Sequence, residues 1–455
     1  MSTPEPARFD LLLTGGQTLT ENLDGLQPVC IGITGGKVTH VGDEPLVYAA
    51  TEVLDADGAV VLPGFVSAHT HVAQSFGKGI FDGLHLTEWL VTLRRSYASL
   101  TDEQVYAASL LGALESMKSG VTFINDMATA GERYDVVAQA VADSGIRAHV
   151  GSAFLDRREG NSPVPGRRTD QVLDAMQRFH ACWDGAADGR IRAAITPVGL
   201  PSCSETLMRG SAELARDLDA PLHTHCAEEH LVTEESHTRF GVSEVQALER
   251  LGLLGERTTL AHAIWVDDAD LAVIAGHRAL VSHCPSTNRK ITDGIAPIEA
   301  MRRAGVKLAL GSDGAASSGS YDILQETRLA AMLAKVSTMD SQALPNAALW
   351  SMLIAVEDHF GVHPTRSPWP LQPGMTADLA LVRYPQLHLV DDRRFLSNLV
   401  FSATAGDVRD VVIDGRIVVR DGALTEHDEA RLLARVREAM ASLVTLPTTS
   451  QEVPS

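Results

Sequence analysis

Two textures of apolar and polar positions divide the chain. Residues 10–14, 30–34, 37–41 and 59–62 alternate or run apolar, broken by Gly15-Gly16, Gly35-Gly36 and Asp57-Gly58. That pattern predicts short strands between turns. The same texture returns late, at 377–383 and 408–419, where Asp414-Gly415 is a two-residue hairpin signal. Between these ends, short apolar runs alternate with helical periodicity. Strands are predicted at 64–71, 121–126, 148–153, 191–197, 221–225, 258–262, 280–283 and 306–312. Helices are predicted at 110–117, 134–142, 206–218 and 298–303. Residues 425–443 predict an amphipathic helix with Leu432, Leu433, Val436, Met440 and Leu443 on one face, and Thr425 with Asp428 as an N-cap pair.

Strands alternating with helices through the middle of the chain point to a parallel (β/α)₈ barrel of TIM type. A doubly wound open sheet is disfavoured, because no glycine-rich phosphate loop follows the first strand. The two β-rich ends are expected to pair, since chain termini often lie close together. The division that follows is a barrel over 64–368 and a composite β-sandwich domain, with the C-terminal helix, from 1–63 and 369–455.

Composition adds bounds. With 45% hydrophobic and 21% charged residues, the chain can bury a large core. Its formal charge of −20 opposes a nucleic-acid polymer or an anionic membrane as partner, while leaving a single base or nucleoside open. Residues 1–10 carry no apolar signal core, and no run of about 18 uncharged apolar residues supports a membrane span. The cysteines at 30, 182, 203, 226 and 284 are scattered and form no CxxC pair, which suits a reducing cytoplasm.

The residues with chemistry gather at predicted strand ends, which in such a barrel open onto the active face. His69 and His71 close the first strand two positions apart, so both imidazoles point the same way. The fifth strand ends in a second pair, His223 and His225; the sixth ends at His262; the eighth runs into Asp313. Parity does not separate His223 from His225. His225 is nearer the strand end, with Glu228 three residues on, and is taken as the ligand. Three imidazoles and a carboxylate suit one divalent metal ion, Zn²⁺ or alternatively Fe²⁺, with room for a water. Residues 191–200 contain no Lys, Glu or Cys to bridge a second ion, which favours a mononuclear site.

These motifs resemble the amidohydrolase superfamily, in its mononuclear aminohydrolase and chlorohydrolase branch. They are Leu62-Pro63-Gly64-Phe65-Val66-Ser67-Ala68-His69-Thr70-His71, His223-Thr224-His225-Cys226-Ala227-Glu228, Leu260-Ala261-His262, Ser282-His283-Cys284-Pro285 and Leu310-Gly311-Ser312-Asp313-Gly314. Pro373-Gly374 and Ala377-Asp378-Leu379-Ala380 resemble the family's return into the β domain. The resemblance implies that His69, His71, His225 and Asp313 hold the metal. Asp313 would take a proton from the attacking water, Glu228 would protonate a ring nitrogen, and His262 would orient the nucleophile.

The activity implied is hydrolytic deamination of an amino-substituted N-heterocycle, of purine, pterin, pyrimidine or triazine type, with release of ammonia. The alternatives are release of chloride or an alkylamine from an s-triazine-like ring, and an inactive binding protein, against which the complete ligand set speaks. Tyr97 aligns with the lid position where adenosine-derivative deaminases carry a ribose-binding Glu. Residues 197–201 resemble the triazine side of the branch. Gln74, Trp89, Tyr97 and Trp265 are candidate substrate contacts, with Asn288 and Lys290 as further candidates. A homodimer is the family-level expectation.

Overall fold

The structure is a computed structural model that describes residues 7–43, 48–157, 166–355, 359–362 and 367–442. The middle of the chain forms two four-stranded parallel sheets. The first holds Phe65–Thr70, Val121–Ala128, Arg147–Ser152 and Ile191–Ala193; the second holds Leu222–Cys226, Thr258–His262, Leu280–His283 and Lys307–Leu310. All eight coincide with predicted strands. Single parallel bridges, Ile195 with Leu222 and Thr70 with Asp313, join the sheets at both seams. Helices intervene, as the periodicity demands, and bury their apolar stripes on the strands. In Glu205–Asp217, for example, Leu207, Met208, Ser211, Ala212 and Ala215 face inward, and Ser204 caps the helix by accepting from Leu207 N–H.

The chain ends meet in one nine-stranded sheet among the described residues. Strand Ala59–Pro63 pairs antiparallel with Leu379–Arg383, which joins the two β-rich ends. Side chains there alternate between two cores, as a pleated strand requires. Val60, Leu62, Ala380 and Val382 pack with the parallel layer, and Val61, Leu379 and Leu381 pack into a smaller separate core. The hairpin signal at Asp414-Gly415 is the turn between Val408–Ile413 and Arg416–Arg420, both residues having positive φ. Arg147, on the third parallel strand, reaches across to the end sheet. Its Nε donates to Asp378 Oδ2 at 2.7 Å and it pairs with Asp414 at 3.3 Å.

Three local readings need correction. Strand Tyr48–Asp55 was not foreseen, because its side chains are mostly exposed and carry no apolar alternation; it pairs parallel with Ala7–Leu19. In the C-terminal helix, Glu429–Ser442, Leu432 and Val436 are buried but Leu433 is exposed, so the apolar stripe is narrower; Leu443 lies outside the described residues. Asp428 caps that helix, accepting from Arg431 N–H, whereas the Thr425 hydroxyl donates to Ile417 O. No helix among the described residues is long and apolar enough to cross a membrane.

Candidate metal centre and active site

Strand geometry brings the histidines together. His69 is the penultimate residue of the first parallel strand and His71 lies just past its end, with ring centroids 4.6 Å apart. Asp313 lies beside them because the backbone after Lys307–Leu310 bridges the first strand: its N–H donates to His69 O at 3.0 Å. Nε2 of His69 and Nε2 of His71 each stand 3.4 Å from Asp313 Oδ1. The ring of His225 is 4.9 Å from that of His69, and the His262 ring is 5.3 Å from it. Two groups, His69/His71/Asp313 and His69/His225/His262, present donor atoms within 4.8 Å of one another.

Each imidazole is oriented from behind. His71 Nδ1 donates to Met127 O at 2.5 Å, and His225 Nδ1 donates to Val198 O at 2.7 Å. His69 Nδ1 meets Nε2 of His223 at 2.8 Å. For His71 and His225 the carbonyl partner fixes the proton on Nδ1 and leaves Nε2 as a lone pair toward the centre, the arrangement of metal-ligating histidines. His223 therefore backs His69, and His225 faces the centre. His69 Nε2 is buried without a hydrogen-bond partner, an orphan that a cation satisfies. Burial drives the His225 pKa well below its usual value and that of His69 to about 4, so both rings are neutral at physiological pH. Burial works to raise the Asp313 carboxyl, but the imidazoles of His69, His71 and His262 around it together hold it well below the usual carboxylate range. A neutral imidazole set around one carboxylate fits a single divalent ion.

Beside this cluster sits the carboxyl of Glu228. Glu228 is largely enclosed, its side chain 16% exposed, and desolvation, followed by the charge of Asp313, pushes its carboxyl well above the usual range. Its Oε1 lies 3.5 Å from His262 Nε2. His262 Nδ1 in turn donates to Asn288 Oδ1 at 2.9 Å, which leaves Nε2 as an acceptor toward Glu228. Four non-glycine residues of the strand-end turns, Ala227, His262, Ala263 and Asp313, hold positive φ between 48° and 74°. Such conformations cost about 1–3 kcal/mol each and persist only where the surroundings enforce them.

The model of the amidohydrolase family matches residues 60–418. The chain belongs to the amidohydrolase family. Among relatives of this amidohydrolase is a 5'-deoxyadenosine deaminase from Methanothermobacter thermautotrophicus, 32% identical over 435 residues, which are 95% of this chain and 98% of that one. An adenosine deaminase from Xanthomonas campestris, solved with bound zinc, superposes with a TM-score of 0.87 at 26% identity over 97% of this chain and 100% of its own. An atrazine chlorohydrolase from Arthrobacter aurescens, complexed with zinc, reaches a TM-score of 0.86 over 94% and 100%; at 22% identity that likeness speaks for the fold alone.

In this amidohydrolase the cluster opens into a cavity of about 760 Å³, lined by His71, His225, Asp313 and Glu228 together with Gln74, Trp89 and Tyr97. Gln74 Oε1 and Trp89 Nε1 are buried with no partner, an acceptor and a donor in the cavity wall. Tyr97 turns its hydroxyl to Thr129 Oγ1 at 3.0 Å. Trp265 departs from expectation. It is not among the described lining residues: its Nε1 donates to Asp293 O at 2.8 Å and its ring packs edge-on against His230. Two buried carboxyls had escaped sequence reasoning. Asp293, raised to about 8 by burial and then by Glu228, lies on the turn after Pro285–Lys290. Glu244 opens the short helix Glu244–Arg250 and accepts from Ala227 N–H at 2.7 Å. A Glu in the first turn of a helix is ordinary dipole chemistry, so no local signal singled it out.

Proposed function

We propose that this amidohydrolase is a metal-dependent hydrolytic deaminase of an amino-substituted N-heterocycle. The observation that carries the reading is the coincidence, on one cavity, of a His/Asp donor set with a carboxyl that desolvation and the neighbouring Asp313 push well above its usual range, toward the protonated form. A hydrolase of simple amides has no need of that ring-protonating acid. In this reading the eight parallel strands form a closed (β/α)₈ barrel over 64–368. The sheet of both chain ends, 1–63 and 369–455, makes a small β-sandwich; strand Ala7–Leu19 supports it by changing partner across a register break at Leu13/Gly16.

His69, His71 and His225 would hold the ion through Nε2, and Asp313 through a carboxylate oxygen. Zinc is preferred because four N/O ligands of this kind suit it. Bound there, the ion supplies Lewis acidity and lowers the pKa of water. Asp313 accepts a proton from the attacking water. His262, with Nδ1 committed to Asn288, holds that water through Nε2. Glu228 delivers its proton to the ring nitrogen beside the attacked carbon, so negative charge does not build there; the proton held by Asp313 passes to the amino group, which leaves as ammonia, and the hydroxyl proton of the tetrahedral carbon returns to Glu228 as the carbonyl forms. Gln74 and Trp89 read the heterocycle with their unpartnered polar atoms, and Tyr97 shapes the wall beyond it.

Adenine-bearing compounds head the substrate panel because the relatives named above act on adenosine derivatives; amino-pterins, cytosines and amino-triazines follow. Ammonia release from at least one member is the expected result. Chloride or alkylamine from a substituted triazine, with no ammonia from any amine, would overturn it. The same reading places the protein in the cytoplasm as a homodimer without a nucleic-acid partner, which light scattering and nucleic-acid binding assays test.

A further inference from the structure

The carboxyl of Glu244 is spent on backbone. Its Oε2 accepts from Ala227 N–H at 2.7 Å, and it also takes a hydrogen bond from the backbone of Leu200. Ala227 is the residue immediately before Glu228 and holds φ at +48°, a conformation an alanine leaves unless constrained. The other face of this turn is clamped from the loop after the sixth parallel strand. Ala227 O accepts from Ile264 N–H at 2.9 Å and Trp265 N–H at 3.0 Å, and Cys226 O accepts from Ala263 N–H at 2.9 Å. The turn is thus gripped by backbone on one side and by one side chain on the other. Releasing the side-chain grip lets φ of Ala227 relax, and that rotation is passed directly to the next residue, whose carboxyl must stay near His262 Nε2.

We propose that Glu244 is a positioning residue for Glu228, its carboxyl holding the Ala227 turn in the left-handed conformation that aims Glu228 at His262. The proposal rests on the reading of Glu228 as the proton carrier. It also explains why the short helix Glu244–Arg250 buries its first acidic residue instead of presenting it to solvent.

The test is a double-mutant cycle on the metal-loaded enzyme, with 5'-deoxyadenosine or the best amine of the panel, reading kcat, KM, metal content and melting temperature. Glu244→Met keeps the volume and removes the acceptor. It should lower kcat about 10- to 100-fold, the range of a misplaced general acid, with KM and metal content nearly unchanged. Glu244→Gln retains an acceptor for Ala227 and should recover most of kcat. In a Glu228→Gln background, Glu244→Met should cost less than about twofold more, because residues acting as a unit are non-additive. Where Glu244→Met alone does not fold, the cycle is run in an Ala227→Gly background, which relieves the strained φ. Multiplicative losses in the double variant, or a fall in kcat matched by loss of metal, overturn the positioning role. A Glu228→Gln enzyme at the parental rate instead overturns the reading of Glu228, and the two failures are distinct.

Discussion

Replacing His223 by alanine should loosen the metal without deleting a ligand, whereas replacing His225 should delete one. His69 Nδ1 and His223 Nε2 lie 2.8 Å apart with both rings fully buried, so a His69 that ligates through Nε2 donates its Nδ1 proton to His223. Without it, a buried N–H is left unpaired, at about 1–3 kcal/mol. At 1.4 kcal/mol per tenfold, that is roughly 5- to 150-fold in zinc affinity. The same range, about 10- to 100-fold, is typical when an outer partner of a metal-ligating histidine is lost. His223→Gln restores an acceptor and should bind close to the parent. His225→Ala should lose the ion outright on dialysis. Chelator competition gives the affinities and elemental analysis the content. A His223→Ala protein that grips zinc as tightly as the parent, or a His225→Ala protein that keeps a full equivalent, would refute the assignment.

Asp313→Asn should abolish turnover while leaving the melting curve nearly in place; a parental kcat would remove it from proton transfer. Glu228→Gln should cost about 10²-fold or more in kcat. With the raised Glu228 carboxyl as the proposed acid, activity should be retained below its pKa and fall as pH rises through it. This alkaline limb in kcat should vanish in the Gln variant, and its persistence there would assign the limb to another group. Asp378→Ala removes one of the two carboxylates facing the largely buried Arg147 guanidinium, leaving Asp414, and should cost about 1.5–3 kcal/mol in denaturant unfolding; a loss under 1 kcal/mol would show the contact to be incidental.

What could be read beforehand was what repeats. Strand parity put His69 and His71 on one side, and the strand-end rule of parallel α/β folds brought His225, His262 and Asp313 to the same place. Parity could not choose between His223 and His225, since both point inward; only the third dimension puts one behind His69 and the other beside it. Glu228 was visible through family resemblance, but its raised pKa depends on burial and on Asp313, far off in sequence. Tyr48–Asp55 escaped because a solvent-facing strand carries little apolar alternation. Trp265 looked like a pocket aromatic from its place after the sixth strand, and was claimed by a backbone carbonyl instead. Glu244 acts across the gap between two loops, which no window along the chain can register.

Strand Ala59–Pro63 leads almost directly into the strand that carries His69, yet its antiparallel neighbour Leu379–Arg383 is made only after all eight parallel strands have been synthesised. A nascent chain on the ribosome therefore holds an apolar strand with an unfilled edge throughout production of the catalytic segment. Closing a loop of that length makes the pairing a slow, late event. Shortened chains that stop before Leu379 would keep every proposed metal ligand and still lack the partner that anchors the strand carrying the first of them, so such fragments should be sticky and poorly metallated rather than small working enzymes.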